Sequence, residues 1–384
     1  MNKLLERVKN LDVSELLSPP LTVTPATPAS KIIGLLKDAN AYELFIEDNE
    51  KIGMITLREV LKASNLTQVK AGTLSFNVPK LTNRTRVNEA AQIMMNYRVR
   101  SLPITSNDKI IGSVTALSII GLLNEMNLLN YIATTIMTRQ PTTLDSNALA
   151  SKVRQLMIRR QIDHIPVVLE AKPIGIVTSA HLVYNMFQAT ETLPRSTIIA
   201  EEQKKLEIPV RSIMDTNPLF CESNDKISFL FEEMLRLGST SALVTFGDEL
   251  QGIITYRDYM KLVLSQFTPN KIPIFIQGLD PRDYPFELEM ARHKFRRAVE
   301  FLRKSLPFIE EARSTIRVFP SGNRGRQRFE VKASIVTPKR IFNFSEEGWE
   351  LSEIYDILSI RLRTILQKRK RSRLMRRESR SDAS

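Results

Sequence analysis

The chain is poor in the residues that disulfide, metal and redox chemistry draw on. It holds one cysteine, Cys221, among 384 residues. No intramolecular disulfide can form, and a cysteine-rich metal site is excluded. Nothing near Cys221 in sequence would activate a thiol, so it reads as a small buried residue. Three histidines, His164, His181 and His293, lie apart without ligand spacing, so no zinc site is expected. No histidine pair, carboxylate cluster or glycine-rich phosphate loop points to an enzyme. No uninterrupted apolar run reaches the ~20 residues of a membrane span. Residues Met1–Asn10 read as the start of an amphipathic helix of mixed charge, not as a signal peptide. Together these absences imply a reduced, cytoplasmic setting without membrane contact.

What is present is positive charge, unevenly spread. The net charge is +13 and the pI about 9.8. Residues 1–265 carry 29 Lys and Arg against 27 Asp and Glu, whereas residues 266–384 carry 26 against 15. Eleven of the thirteen surplus charges thus sit in the last third, which implies a polyanionic partner for that third. The length exceeds one ordinary core, and 42% apolar content is enough to fill several.

The first 265 residues repeat. A glycine, two further residues and a threonine recur as Gly53–Thr56, Gly112–Thr115, Gly175–Thr178 and Gly252–Thr255, with the glycines 59, 63 and 77 residues apart. Upstream of each lies a strand-like run: Glu43–Glu47, Ser101–Thr105, His164–Leu169 and Ser241–Phe246. Before that comes a helical pattern: Ala29–Lys37, Val87–Tyr97, Ala148–Arg159 and Ile227–Leu237. Turn-rich leads such as Ile136–Pro141 and Ile213–Pro218 open the copies, and an amphipathic segment follows each threonine. The unit is strand-helix-strand-strand-helix, present four times. The polar stretch Ala189–Leu206, with Pro194, reads as a linker that joins pairs of repeats.

This unit resembles a CBS domain. The resemblance implies two tandem pairs, residues 11–127 and 128–265, whose clefts hold adenine nucleotides: AMP, ADP or ATP. In that family the threonine and an aspartate three residues later contact ribose and phosphate. Here Thr56, Thr115, Thr178 and Thr255 supply the hydroxyl, but only Thr255 is followed by the aspartate, Asp258. A different reading of the same threonines is helix capping, since each precedes a helical pattern. Both stay open at this point, and no cofactor is required by either.

Residues 271–373 pattern as β-α-β-β-β-α. The strands are expected at Ile272–Gly278, Ser314–Phe319, Arg328–Val336 and Arg340–Phe344. The helices are expected at Pro285–Leu306 and from Leu351 beyond Gln367. The whole chain is therefore α/β and α+β: two CBS-like pairs, then a basic β-α-β-β-β-α domain. One face of the first helix carries Arg292, Arg296 and Arg303, with Arg297 and Lys304 in a neighbouring row. A hairpin tip adds Arg324, Arg326 and Arg328. The last helix presents Arg361, Arg363, Lys368, Arg369, Lys370 and Arg371. Arginine's planar fork suits phosphate, so these are the candidate RNA-binding residues. Residues 374–384 are expected to be a disordered tail.

The element order, the opening Ile274–Gly278 and the run from Ile354 to Arg371 resemble the ribosome hibernation-promoting factors. That resemblance implies a non-catalytic domain in the mRNA and tRNA channel of the small ribosomal subunit, gripping ribosomal RNA and inhibiting translation. The expected state is a monomer on the ribosome, with the repeats as docking surface or nucleotide sensor. The alternative is an adenine-nucleotide-responsive regulator whose basic domain binds DNA or another RNA.

Overall fold

The computed structural model describes residues 2–48, 51–63, 66, 69–170, 172–186, 204–267, 272–279, 284–303, 306, 309, 311–320, 327–337, 340–362 and 364. The chain divides into two compact units, Met1–Phe267 and Thr268–Ser384.

The first unit opens with α1 (Asn2–Lys9). Repeat one comprises β1 (Thr22–Val23), α2 (Ala29–Asp38), β2 (Glu43–Asp48), β3 (Lys51–Thr56) and α3 (Leu57–Lys62). Repeat two comprises β4 (Phe76–Asn77), α4 (Val87–Tyr97), β5 (Ser101–Ser106), β6 (Lys109–Thr115) and α5 (Ala116–Glu125). Repeat three comprises β7 (Thr138–Arg139), β8 (Leu144–Asp145), α6 (Ala150–Arg160), β9 (His164–Leu169), β10 (Lys172–Thr178) and α7 (Ser179–Met186). Repeat four comprises β11 (Phe220–Glu222), α8 (Ile227–Arg236), β12 (Ser241–Phe246), β13 (Glu249–Thr255) and α9 (Tyr256–Phe267).

The leads are exchanged between neighbours. The lead of repeat one bridges to β6 of repeat two (Ser18 with Ser113), while β4 of repeat two pairs with β3 of repeat one. Likewise β7 of repeat three pairs with β13 of repeat four, and Asp215 of repeat four's lead bridges to Ile176 of β10. The repeated glycines make this possible. A Cβ on Gly175 would meet the Asp215 carbonyl oxygen at 2.6 Å, one on Gly112 the Leu17 side chain at 2.5 Å, and one on Gly252 Met137 at 2.8 Å. Each glycine is thus the contact floor for the other repeat's lead.

Repeats one and two form one pair, and three and four the other. The stretch 189–206 therefore joins two members of one pair instead of joining pairs, and residues 189–203 of it lie outside the described residues. The pairs meet through helices. In repeats one and three, α3 packs on α6 and α7, and α2 packs on α7. In repeats two and four, α9 packs on α4 and α5. Ile32, Leu36 and Leu61 of repeat one share a core with Val153, Val167 and Leu182 of repeat three. Leads couple one with two and three with four, and helices couple one with three and two with four.

In the second unit, β14 (Ile274–Gln277) pairs parallel with β15 (Glu311–Pro320). Next come β16 (Gln327–Thr337) and β17 (Arg340–Gly348), each antiparallel to its predecessor. One sheet face is covered by α10 (Pro285–Arg303) and by α11, residues 351–362. Leu288, Phe295 and Leu302 of α10 and Leu351, Ile354 and Leu358 of α11 meet Ile316, Val331 and Ile335 in this core. Between the helices, Lys294 Nζ donates to Ser352 Oγ (2.8 Å) and to Asp356 Oδ2 (2.5 Å). Gly278 adopts φ +104°, and a Cβ there would lie 1.8 Å from the Ile316 carbonyl oxygen.

The strands β15 and β17 extend beyond the expected spans. The added Glu311–Arg313 includes two charged residues, and Ser345–Gly348 is polar, so apolar alternation alone understates both. The tail 374–384 lies outside the described residues.

Candidate functional site

The four threonines end β3, β6, β10 and β13, where each chain turns from strand into helix. Thr56 Oγ1 accepts from the Glu59 N–H at 3.3 Å. Thr115 and Ser118 form a reciprocal capping box. Thr178 Oγ1 accepts from the His181 N–H (3.2 Å), and the His181 ring nitrogen Nδ1 accepts from the Thr178 N–H (3.4 Å). In repeat four the carboxylate is the acceptor: the Thr255 N–H and Oγ1 both donate to Asp258 Oδ2 at 2.8 Å. All four threonines thus bond with the residue three positions on.

Asp258 does more. Its Oδ1 accepts from Thr138 Oγ1 of repeat three's lead at 2.7 Å, which ties the exchanged strand to α9. Asp258 is buried, and three donors already occupy its two oxygens. A carboxylate has about four lone-pair directions, so one acceptor direction on Oδ1 has no donor among the described residues. Residue three positions on in the other repeats is Glu59, Ser118 or His181.

Where the four repeats meet, a buried polar hub occupies the turn before each hairpin. Tyr42 Oη donates to Asp163 Oδ1 (2.6 Å). Arg58 donates to the carbonyl oxygens of Gln161 (3.1 Å) and Arg98 (3.0 Å), and its guanidinium stands 3.6 Å from Asp163. The Arg100 guanidinium lies 4.0 Å over the Tyr42 ring, and its backbone N–H donates to Glu43 Oε1 at 2.7 Å. His164 Nε2 lies 2.7 Å from Thr240 Oγ1. Every repeat contributes.

Burial sets the charge states here. It pushes the Glu43 carboxyl up to about 7, against Ser101 and Arg100, which pull it down. Its Oε2 is buried with no hydrogen-bond partner among the described residues. Burial and the Arg100 charge push the His164 imidazole down to about 3, although Asp163 opposes this. Burial would raise Asp163, but Arg58, Arg100 and the Tyr42 hydroxyl outweigh it and hold the carboxyl below its usual range. None of these residues was singled out from sequence as a hub. The signal available was positional: Tyr42-Glu43, Arg100-Ser101, Asp163-His164 and Thr240-Ser241 all begin their repeats' hairpins.

The second unit displays its charge on the outside of α10. Arg292, Arg296, Arg297 and Arg303 are exposed. Arg292 lies 3.8 Å from Glu289, whereas Arg296 and Arg297 form no ion pair with any described residue. Arg328 pairs with Glu347 at 2.6 Å, and Arg361 with Glu346. Lys304, Arg324, Arg326, Arg363, Lys368, Arg369, Lys370 and Arg371 lie outside the described residues. Cys221 is buried, and burial pushes its thiol up to about 12. Among the described residues no group of histidine, cysteine and carboxylate side chains could hold a metal ion, and no helix is long and apolar enough to cross a membrane.

Residues 13–66, 74–125, 133–187 and 210–265 each match the CBS domain model, and the chain belongs to the CBS domain family. Among relatives, the uncharacterized protein MJ1404 of Methanocaldococcus jannaschii is 27% identical over 269 residues, covering 68% of this chain and 64% of that protein. The CBS domain-containing protein CBSCBSPB1 of Arabidopsis thaliana is 24% identical, over 48% of this chain and 39% of that one. The match thus spans less than two thirds of either relative. Among solved structures, protein MJ1225 of Methanocaldococcus jannaschii is similar with a TM-score of 0.60 at 19% identity, over 66% of this chain and 99% of that chain. That likeness concerns the fold.

Proposed function

We propose that this chain is a non-catalytic RNA-binding protein that occupies the mRNA and tRNA channel of the small ribosomal subunit and inhibits translation. The observation that carries the reading is the concentration of eleven surplus positive charges after residue 265, with Arg296 and Arg297 exposed on α10 and without an ion pair among the described residues. Such a surface gains affinity by releasing counterions from phosphate. The protein acts as a monomer on the ribosome, since helices of the two pairs already cover one another. Addition of the purified chain to a translation extract should stop protein synthesis in proportion to ribosome occupancy. Full synthesis at saturating protein would sink the reading.

A second reading is favoured by membership of the CBS family: the array senses AMP, ADP or ATP and regulates a domain that binds DNA or another RNA. Repeat four is the place for the nucleotide, because Asp258 retains one acceptor position beside the N-terminus of α9, where backbone N–H groups suit phosphate. Calorimetry on the full chain should show binding that Asp258→Ala weakens by about 1–3 kcal/mol. No heat with any of the three nucleotides would leave the threonines as caps and the array as a docking platform.

A further inference from the structure

Each repeat places one helix between its lead and its hairpin, so α2, α4, α6 and α8 are four copies of one structural position. All four bury an apolar pair at the same distance before the hairpin: Ile32 and Leu36, Ala90 and Met94, Val153 and Met157, Leu230 and Met234. Their charges differ. Helix α2 carries Lys31 and Lys37 with Asp38, α4 only Glu89, and α8 Glu232 and Glu233 with Arg236. Helix α6 carries Lys152, Arg154, Arg159 and Arg160 and no acid. Three copies hold the position at net +1, −1 and −1, so its packing does not require the +4 of α6.

Of these four cations, Arg154 serves the fold, donating to the carbonyl oxygens of Leu61 (2.7 Å) and Ala63 (2.9 Å) in repeat one. Lys152 and Arg159 are exposed, and their seven-residue spacing puts them on one side of the helix, with Ser151 and Gln155 also exposed. Arg160 is exposed and donates to the Thr142 hydroxyl, which leaves its charge uncompensated by an acid. Arg98 of repeat two brings a further cation to the end of α6, donating to the carbonyl oxygens of Arg160 (3.4 Å) and Gln161 (3.3 Å). Residues 133–187 hold three acids. Asp145 Oδ1 accepts from the Asn147 N–H ahead of the helix, Asp163 is held in the hub by Tyr42 and Arg58, and Glu170 lies in the turn between β9 and β10. None forms an ion pair with Lys152, Arg159 or Arg160. The helix has no aromatic residue on which an unpaired base could stack. Arginine, lysine, serine and glutamine instead suit phosphate and sugar, the groups that a duplex presents whatever its sequence.

We propose that the outer row of α6, formed by Lys152, Arg159 and Arg160, is a second phosphate-binding surface that grips the backbone of double-stranded RNA from the CBS array. The inference rests on the RNA-binding reading and adds to it a contact on the first unit. The test uses the full chain carrying Arg296→Glu and Arg297→Glu, so that α10 is weakened, and a labelled RNA duplex of arbitrary sequence followed by anisotropy across a salt series. Residual binding should persist at low salt. Adding Lys152→Gln and Arg159→Gln should weaken it and lower the slope of log affinity against log salt by about two, at unchanged melting temperature. Arg159→Lys alone, which keeps the charge, should bind as the background does. If the background binds no duplex, or binds it equally with and without the two α6 substitutions, the α6 surface is excluded. Weaker binding to phosphatidylserine vesicles with equal duplex binding would make the row a lipid contact and overturn the inference too. In either case the α10 reading survives if the wild-type chain binds duplex more tightly than the background. If the wild-type chain binds no duplex at all, both fall.

Discussion

A single methyl group on Gly175 would press against a backbone carbonyl, that of Asp215, which cannot rotate away. Gly175→Ala should therefore loosen the lead of repeat four and cost about 1–3 kcal/mol, seen as a lower melting temperature. Gly121 in α5 offers the contrast, since a Cβ there meets nothing within 4 Å. Gly121→Ala should leave stability unchanged or raise it by about 0.5–1 kcal/mol. Equal effects at both sites would contradict the exchange of leads. The hub makes a second demand on single residues. Glu43 ionises at about 4.5 in the unfolded chain and about 7 in the folded one, so stability is lost as pH rises through that window. His164 runs the other way: unfolded it takes a proton near 6.5, folded only near 3, so stability is lost as pH falls from one to the other. Glu43→Gln keeps an acceptor for the Arg100 N–H and removes the carboxylate. It should stabilise the chain at pH 8, by up to ~3 kcal/mol, and change little at pH 5. Parallel melting curves for variant and wild type across pH 5–8 would show that Glu43 does not titrate as described.

At the scale of elements, α10 works as two faces. Leu288, Phe295 and Leu302 fasten one to the sheet, and Arg296 and Arg297 on the other are exposed and form no ion pair with a described residue. Arg296→Glu with Arg297→Glu should leave the melting temperature unchanged and weaken RNA binding, with the slope of log affinity against log salt reduced by about two. An unaltered slope would exclude these residues from phosphate contact. This face was legible in the sequence, because seven-residue spacing of apolar groups and the arginine rows follow directly from helix geometry. The repeats were legible for a similar reason: glycine and threonine recur at fixed places in every copy. What the glycines do was not legible, since their contact is a lead from a different repeat, far away in sequence. The hub escaped for the same cause. Tyr42 and Asp163 are 121 positions apart, and periodicity within a segment carries no information about such a pair. Thr138 as partner of Asp258 is a third case, 120 positions away.

For the whole molecule, two kinds of coupling close four repeats into one unit, while the positive charge gathers in the other. The assembly of the array rests on leads and helix faces whose partners come from other repeats. The RNA binding proposed for the second unit rests on a charge surplus of eleven, against two in residues 1–265. The measurement that tests this account most directly is sedimentation of the full chain with purified small ribosomal subunits, across a salt series and with mRNA and tRNA added. The account predicts that the chain pellets with the subunits at low salt, is released steeply as salt rises, and is displaced by mRNA and tRNA together. A chain that stays in the supernatant at low salt, or remains bound when the channel is filled, would contradict it.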